Sequence, residues 1–134
     1  MKNEKGGLLI LNNLNCKVYF STEPYDDPLN EMANLSASRY HMPANIFISA
    51  KGNAKHGARI KIQTNHSSKM ESQNLVTMTI PDKRIIGDIG KLQTSDIRYF
   101  ERFIDANKDI LLKYWNEGNN MFIDDVIDNL KFDV

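Results

Sequence analysis

The chain has 134 residues, of which 41% are hydrophobic and 25% charged, close to the averages of folded globular domains, so disordered and fibrous readings are excluded. That length supports one domain with its own core, without metal or disulfide support. Its 17 basic and 17 acidic residues cancel, a balance unlike the strongly basic one of a dedicated nucleic-acid binder.

At the N-terminus, Met1 to Lys5 carries two lysines and a glutamate, and the apolar run from Leu8 to Leu11 is too short for a signal peptide or a membrane span. A cytoplasmic protein with no membrane partner is expected. Residues 8–11 (LLIL) and 16–21 (CKVYFS) flank an Asn-rich NNLN and predict a first hairpin. Cys16 is the single cysteine, so no internal disulfide and no two-thiol zinc or redox motif is available. Between Leu14 and Val18 it reads as a small core residue.

Residues 22–43 contain Pro24, Pro28 and Pro43 and show no clean period. They predict a long loop, with one helical turn around Leu29 to Leu35. Two strands follow. Ile46, Ile48 and Ala50 alternate with Asn45, Phe47 and Ser49; beyond the turn KGNAKHG, Ala58, Ile60 and Ile62 alternate with Arg59, Lys61 and Gln63. Period 2 places the isoleucines on one face and Arg59 and Lys61 on the other. A further strand, Leu75 to Ile80, stops at Pro81, a short one spans Arg84 to Ile86, and GDIG closes the β part.

The period then changes. After an N-cap offered by Thr94, Ser95 and Asp96, the residues Ile97, Phe100, Phe103, Ile104, Ile110, Leu111, Tyr114 and Trp115 recur at steps of three and four, the mark of an amphipathic helix. A bend is expected near Asn107, and Gly118 is the expected stop. A second helix, Met121 to Leu130, is predicted to place Phe122, Val126, Ile127 and Leu130 on one side and Asp124, Asp125 and Asp128 on the other. The expected fold is a single α+β domain over 1–134: an antiparallel sheet of four to six strands in the N-terminal two-thirds (1–92, mainly β, with the loop 22–43), packed by a long C-terminal helix and a shorter terminal one (93–134).

Charge is segregated along the chain. From Met32 to Met70 there is no Asp or Glu, while Arg39, Lys51, Lys55, Arg59, Lys61 and Lys69 lie there, so that segment carries +6 and the remainder −6. Such asymmetry bears on partners and self-association rather than on fold. Lys51, Lys55 and His56 at the turn, with Arg59 and Lys61 on the strand, form the candidate partner-binding set.

The catalytic patterns each lack a required part. Gly52 to Gly57 has the G-x-x-x-x-G spacing, but Ala58-Arg59 and a strand follow where a phosphate loop needs Lys-Ser/Thr and a helix N-terminus. His41, His56 and His66 match no zinc spacing, leaving a general acid–base pair among them as the catalytic alternative. Pro81-Asp82 with Asp88-x-x-Lys91 places acid and lysine three apart, where a strand-borne metal nuclease needs two. No metal and no cofactor are expected. Phe47, on the same face as Arg59 and Lys61, is expected to offer a base-stacking surface if nucleic acid is bound.

His41-Met-Pro43, Phe47-Ile48, GARIKI (57–62), RIIGDIGKL (84–92) and NKDILLKYW (107–115) follow one another in a layout that resembles a small prokaryotic family of unknown function. That family is known by a His-x-Pro-Pro-His-Phe-His signature and is often encoded in toxin–antitoxin-like gene pairs. The resemblance covers about residues 40 to 117 and implies a strand, a Gly-containing hairpin, a strand, a turn and a helix ending in a Leu-rich, Trp-containing run. The family's second proline and later histidines are replaced by Ala44, Asn45 and Ile48, so any chemistry of those histidines is missing here. The expectation is a small interaction module, accessory or inhibitor, that docks on a protein partner through its basic hairpin and acidic helix, with homo-oligomerisation as a variant. The alternative is a nucleic-acid-binding protein or metal-independent ribonuclease.

Overall fold

In a computed structural model of the chain, residues 32–134 are described, and they fall within one compact unit. The expected first hairpin (8–11 and 16–21), Cys16 and the first part of the loop 22–43 lie outside the described residues.

Five strands form a meander: β1 (Met32–Leu35), β2 (Ile46–Ser49), β3 (Arg59–Gln63), β4 (Leu75–Thr79) and β5 (Ile85–Ile86), each antiparallel to its sequence neighbour. The short helix α1 (Ala37–Tyr40) joins β1 to β2, the long helix α2 (Thr94–Glu117) follows β5, and a 3₁₀ turn (Gly118–Asn120) leads to α3 (Ile123–Asp128). This is the expected α+β architecture, a five-stranded antiparallel sheet followed by a long helix and a short one.

The register explains the alternation. Ala33, Ile48, Ile60, Met78 and Ile85 lie side by side across all five strands, and Leu35, Ile46, Ile62 and Val76 form the adjoining row. Nearly all of these side chains are buried, in one cluster with Phe100, Phe103, Ile104, Leu111, Tyr114 and Trp115 of α2. At about 25 cal/mol per Å² of apolar surface, each fully buried Ile or Leu here contributes roughly 1.5–3 kcal/mol.

The stretch expected to be a helical turn, Leu29 to Leu35, is different where it is described: Met32–Leu35 is strand β1, with Ala33 and Leu35 facing the core. The alternation is only four residues long, and its pairing with β2 decides the conformation. Helix comes later, where Ser36 caps α1 by accepting the Arg39 N–H.

Four details of the helices go beyond the sequence pattern. The N-cap of α2 is Gln93 rather than Thr94, Ser95 or Asp96, and Asp96, at N3, accepts the Gln93 N–H at 2.9 Å as one half of a capping box. The helix is continuous through Asn107, and that residue has a role beyond the helix. Asn107 is 2% exposed. Its Nδ2 donates to the carbonyls of Phe103 (2.9 Å) and Lys131 (2.8 Å), and its Oδ1 accepts the Lys131 N–H (2.7 Å). One amide side chain thus pairs both backbone groups of a tail residue and holds the C-terminal segment on α2. The Tyr99 hydroxyl adds a bond to the Phe132 carbonyl, and the Phe132 ring stacks on Tyr40.

Gly118, third, is the C-cap at which α2 stops, as expected, but without the left-handed conformation. Its φ is −57°, and its need for glycine is spatial: a Cβ there would lie 2.4 Å from Ala50 Cβ. Finally, Val126 and Leu130 are buried and Ile127 half-buried, but Phe122 is 80% exposed. It precedes the helix with extended backbone (φ −85°, ψ 129°) and so escapes the helical period that placed it on the core side.

Candidate docking face

The outward face of the sheet is read from the same register. Asn34, Phe47, Lys61, Thr77 and Ile86 form one row across the five strands, and Arg59 pairs with Thr79 in the row beside it. Arg59 and Lys61 therefore project from the central strand at i and i+2, on the face opposite the isoleucines. Both are half-buried. Arg59 Nε donates to the Gly57 carbonyl at 3.2 Å, and neither cation forms an ion pair among the described residues.

Phe47 lies beside Lys61 on this face, as expected, but it is 6% exposed and stands outside the main core cluster. Its ring is not open to stack a base.

One end of the face is closed by polar contacts. Asn45 is buried; its Oδ1 accepts the Ala37 N–H (2.7 Å), and its Nδ2 donates to Gln63 Oε1 (3.4 Å) and the Ser67 carbonyl (3.1 Å). Gln63, also buried, donates to Asn65 Oδ1 (2.7 Å) and the Lys69 carbonyl (3.0 Å) and accepts the Glu71 N–H (2.9 Å). Asn65 in turn donates to Glu71 Oε1 at 2.9 Å. Every polar group in this chain of amides finds a partner, which is what keeps buried amides affordable. The segment 64–71 is thereby folded over the Asn45–Gln63 end.

The hairpin turn that carries Lys51, Lys55 and His56 is at the opposite end, against the end of α2. The Lys51 N–H donates to the Trp115 carbonyl at 2.7 Å, the His56 ring lies 5.5 Å from the Trp115 ring, and Gly52 takes the positive φ (52°) that the turn requires. The last turn of α2 has no basic residue of its own, and the Lys51 N–H is a donor to one of the carbonyls at the negative end of its dipole. Lys51, Lys55 and His56 are exposed, but their turn has a structural task that Arg59 and Lys61 do not share. No helix follows the turn, and the phosphate-loop reading of Gly52 to Gly57 ends there.

The three histidines are not gathered into one site. His41 closes α1 in the left-handed conformation (φ 60°), a region where His is enriched among non-glycine residues. His66 lies beyond β3, with Nε2 3.0 Å from Asp96 Oδ2. His56 sits in the turn before β3, so the five residues of that strand separate it from His66 by about 15 Å along the sheet at ~3.3 Å per residue. The β3 strand thus stands between His56 and His66 and keeps them from sharing one acid–base site. His66 and Asp96 form the one histidine–carboxylate pair among the described residues, and they tie the 64–71 segment to the first turn of α2.

The acid–lysine motif dissolves into turns. The Thr79 hydroxyl donates to Asp82 Oδ1, and Asp88 accepts the Gly90 N–H at 2.9 Å. The hydrogen bond from Thr79, aided by the charge of Arg84, holds the Asp82 carboxyl below the usual aspartate range despite partial desolvation. Among the described residues, no three His, Cys, Asp or Glu side chains cluster so as to hold a metal ion, and no helix is long and apolar enough to cross a membrane.

The period-2 pattern is enough to place Arg59 and Lys61 on the outward face. The burial of Phe47, Asn45 and Gln63 left no such signal, because polar or isolated residues at outward strand positions look solvent-facing until a covering segment is known. No family model, curated protein or solved structure matches this chain.

Proposed function

We propose that the protein is a non-enzymatic docking module that receives an acidic protein surface on the outward sheet face, centred on Arg59 and Lys61. The observation that carries this reading is the placement of two cations at i and i+2 on the central strand, neither with a carboxylate partner among the described residues. A meander strand with neighbours on both sides holds them in a fixed geometry, so little ordering is lost on binding. Opposite charge on the partner would speed encounter and fix its register. The lysines of the hairpin turn extend the positive field. The order of strand, glycine turn, strand, turn and Trp-bearing helix supports a distant relation to the prokaryotic family with the His-x-Pro-Pro-His-Phe-His signature, as part of the same reading.

The nucleic-acid alternative is less favoured because Phe47 is buried, which leaves phosphate contacts without a stacking platform. A ribonuclease is less favoured because His56 stands apart from His66.

The test is fluorescence anisotropy with a labelled Asp/Glu-rich peptide and, in parallel, a labelled single-stranded RNA of equal charge. The peptide should bind at low salt and weaken as salt is raised, and Arg59→Glu/Lys61→Glu should cost at least about tenfold in affinity. Undiminished binding by that variant overturns the proposal. Tighter binding or cleavage of the RNA would replace it with the alternative.

A further inference from the structure

Phe122 is the most exposed large apolar side chain among the described residues, at 80%, while Met32, Ile86 and Ile89 lie between 39 and 44%. Its backbone is nevertheless fixed, since the Phe122 carbonyl accepts the N–H groups of Asp125 (3.0 Å) and Val126 (3.2 Å). The exposed carboxylates of Asp124, Asp125 and Asp128 follow it, none with a side-chain hydrogen bond or ion pair among the described residues. The turn is thus an anionic, aromatic-tipped knob on a rigid base, and single aromatic anchors of this kind dominate binding at many interfaces.

The outward sheet face has the complementary chemistry. Lys61 and Ile86 flank half-buried Thr77 in one row. Two strand spacings separate them by about 10 Å, room for a phenyl ring to lie over Thr77 against the Ile86 side chain, within cation–π reach of Lys61. Arg59, in the adjoining row, is then available to a carboxylate. We infer that a second copy of this chain docks its Phe122–Asp128 knob on this face, in a head-to-tail contact. The inference rests on the docking face proposed above and names its partner. Two different surfaces meet, so the contact is heterologous and propagates into short chains unless it closes into a ring. A net charge of zero removes long-range repulsion between copies, and segregation of +6 from −6 along the sequence supplies attraction at short range.

Sedimentation velocity of the full chain over a range of concentrations tests this. At low salt the average mass should rise with concentration above the 15.4 kDa of one chain, and at high salt it should return to that value. Phe122→Ser, Asp124→Lys/Asp125→Lys and Arg59→Glu/Lys61→Glu should each stay monomeric, with unchanged circular dichroism. An equimolar mixture of the two charge-reversed variants should associate again. A wild-type mass fixed at one chain, association that ignores the three variants, or a mixture that stays monomeric overturns the inference. If the chain is monomeric while the acidic peptide still binds through Arg59 and Lys61, self-docking falls and the docking face stands; loss of both removes both.

Discussion

Replacing Asn107 with Leu removes the one side chain that pairs both backbone groups of Lys131. The substitution deletes the bonds to the Lys131 carbonyl (2.8 Å) and from the Lys131 N–H (2.7 Å), together with the bond to the Phe103 carbonyl (2.9 Å). The Phe103 carbonyl keeps its helical partner, so its loss is small. The two tail groups are left beside an apolar side chain at a position that is 2% exposed. Unpaired buried groups cost about 1–3 kcal/mol each, and because the Lys131 residue itself is exposed, water relieves part of this and the low end applies. Leu fills a similar volume, which offsets a fraction more. The net is a loss of about 1–2 kcal/mol, or on the order of 5–10 °C in melting temperature for a unit of about 100 residues. Urea unfolding followed by circular dichroism measures the free energy, and amide hydrogen exchange at Lys131 reports the local cause, since its N–H loses its acceptor. A change below about 0.5 kcal/mol, with the Lys131 amide still protected, would refute the argument that Asn107 secures the tail.

Gly118→Ala forces a Cβ to 2.4 Å from Ala50 Cβ and should destabilise by about 1–3 kcal/mol as overpacking; in thermal melts, Ala50→Gly in the same chain should recover most of the loss, and additive loss would contradict the steric account. Thr79→Val removes the main cause of the lowered Asp82 pKa, so the carboxyl should move up toward the ordinary aspartate value in an NMR titration. Because the folded-state pKa of Asp82 lies below its unfolded value, its contribution to stability is present above the unfolded value, near pH ~3.9, and is lost as pH falls through the folded one. The variant should therefore lose stability relative to the parent at neutral pH, and in strong acid the gap should narrow to the loss of the bond by which the Thr79 hydroxyl accepts the Arg84 N–H (2.8 Å); an unmoved Asp82 titration would remove the assigned cause.

The strands β2, β3 and β4 were legible because their inward residues are almost all Ile, Val or Met, and α2 because its aromatic and aliphatic residues keep a step of three or four. What escaped the sequence has a common physical origin in contacts between distant segments. Met32–Leu35 is strand only because β2 lies beside it. The bonds of Asn107 need Lys131 opposite it, the spatial need for glycine at 118 needs Ala50 beside it, and Asn45 and Gln63 read as surface amides until 64–71 folds over them. At the candidate site, the direction of Arg59 and Lys61 follows from alternation alone, whereas the division between sheet-face cations and those that accompany the end of α2 requires Trp115 to be in place.

Within the described residues every strand pairs with the one next to it in the chain, which makes loop-closure entropy low for each step and allows the sheet to zip up hairpin by hairpin. Docking of α2 is the non-local step. It must bring Trp115 back across the whole meander to the Lys51 N–H and seat Gly118 on Ala50. The β2–β3 turn closes on itself through the Ala54 N–H to Lys51 carbonyl bond (2.8 Å), but its Lys51 N–H and the Ala50 side chain meet their helix partners only when the far end of α2 arrives, whereas the strand that carries Arg59 and Lys61 needs only its sheet neighbours.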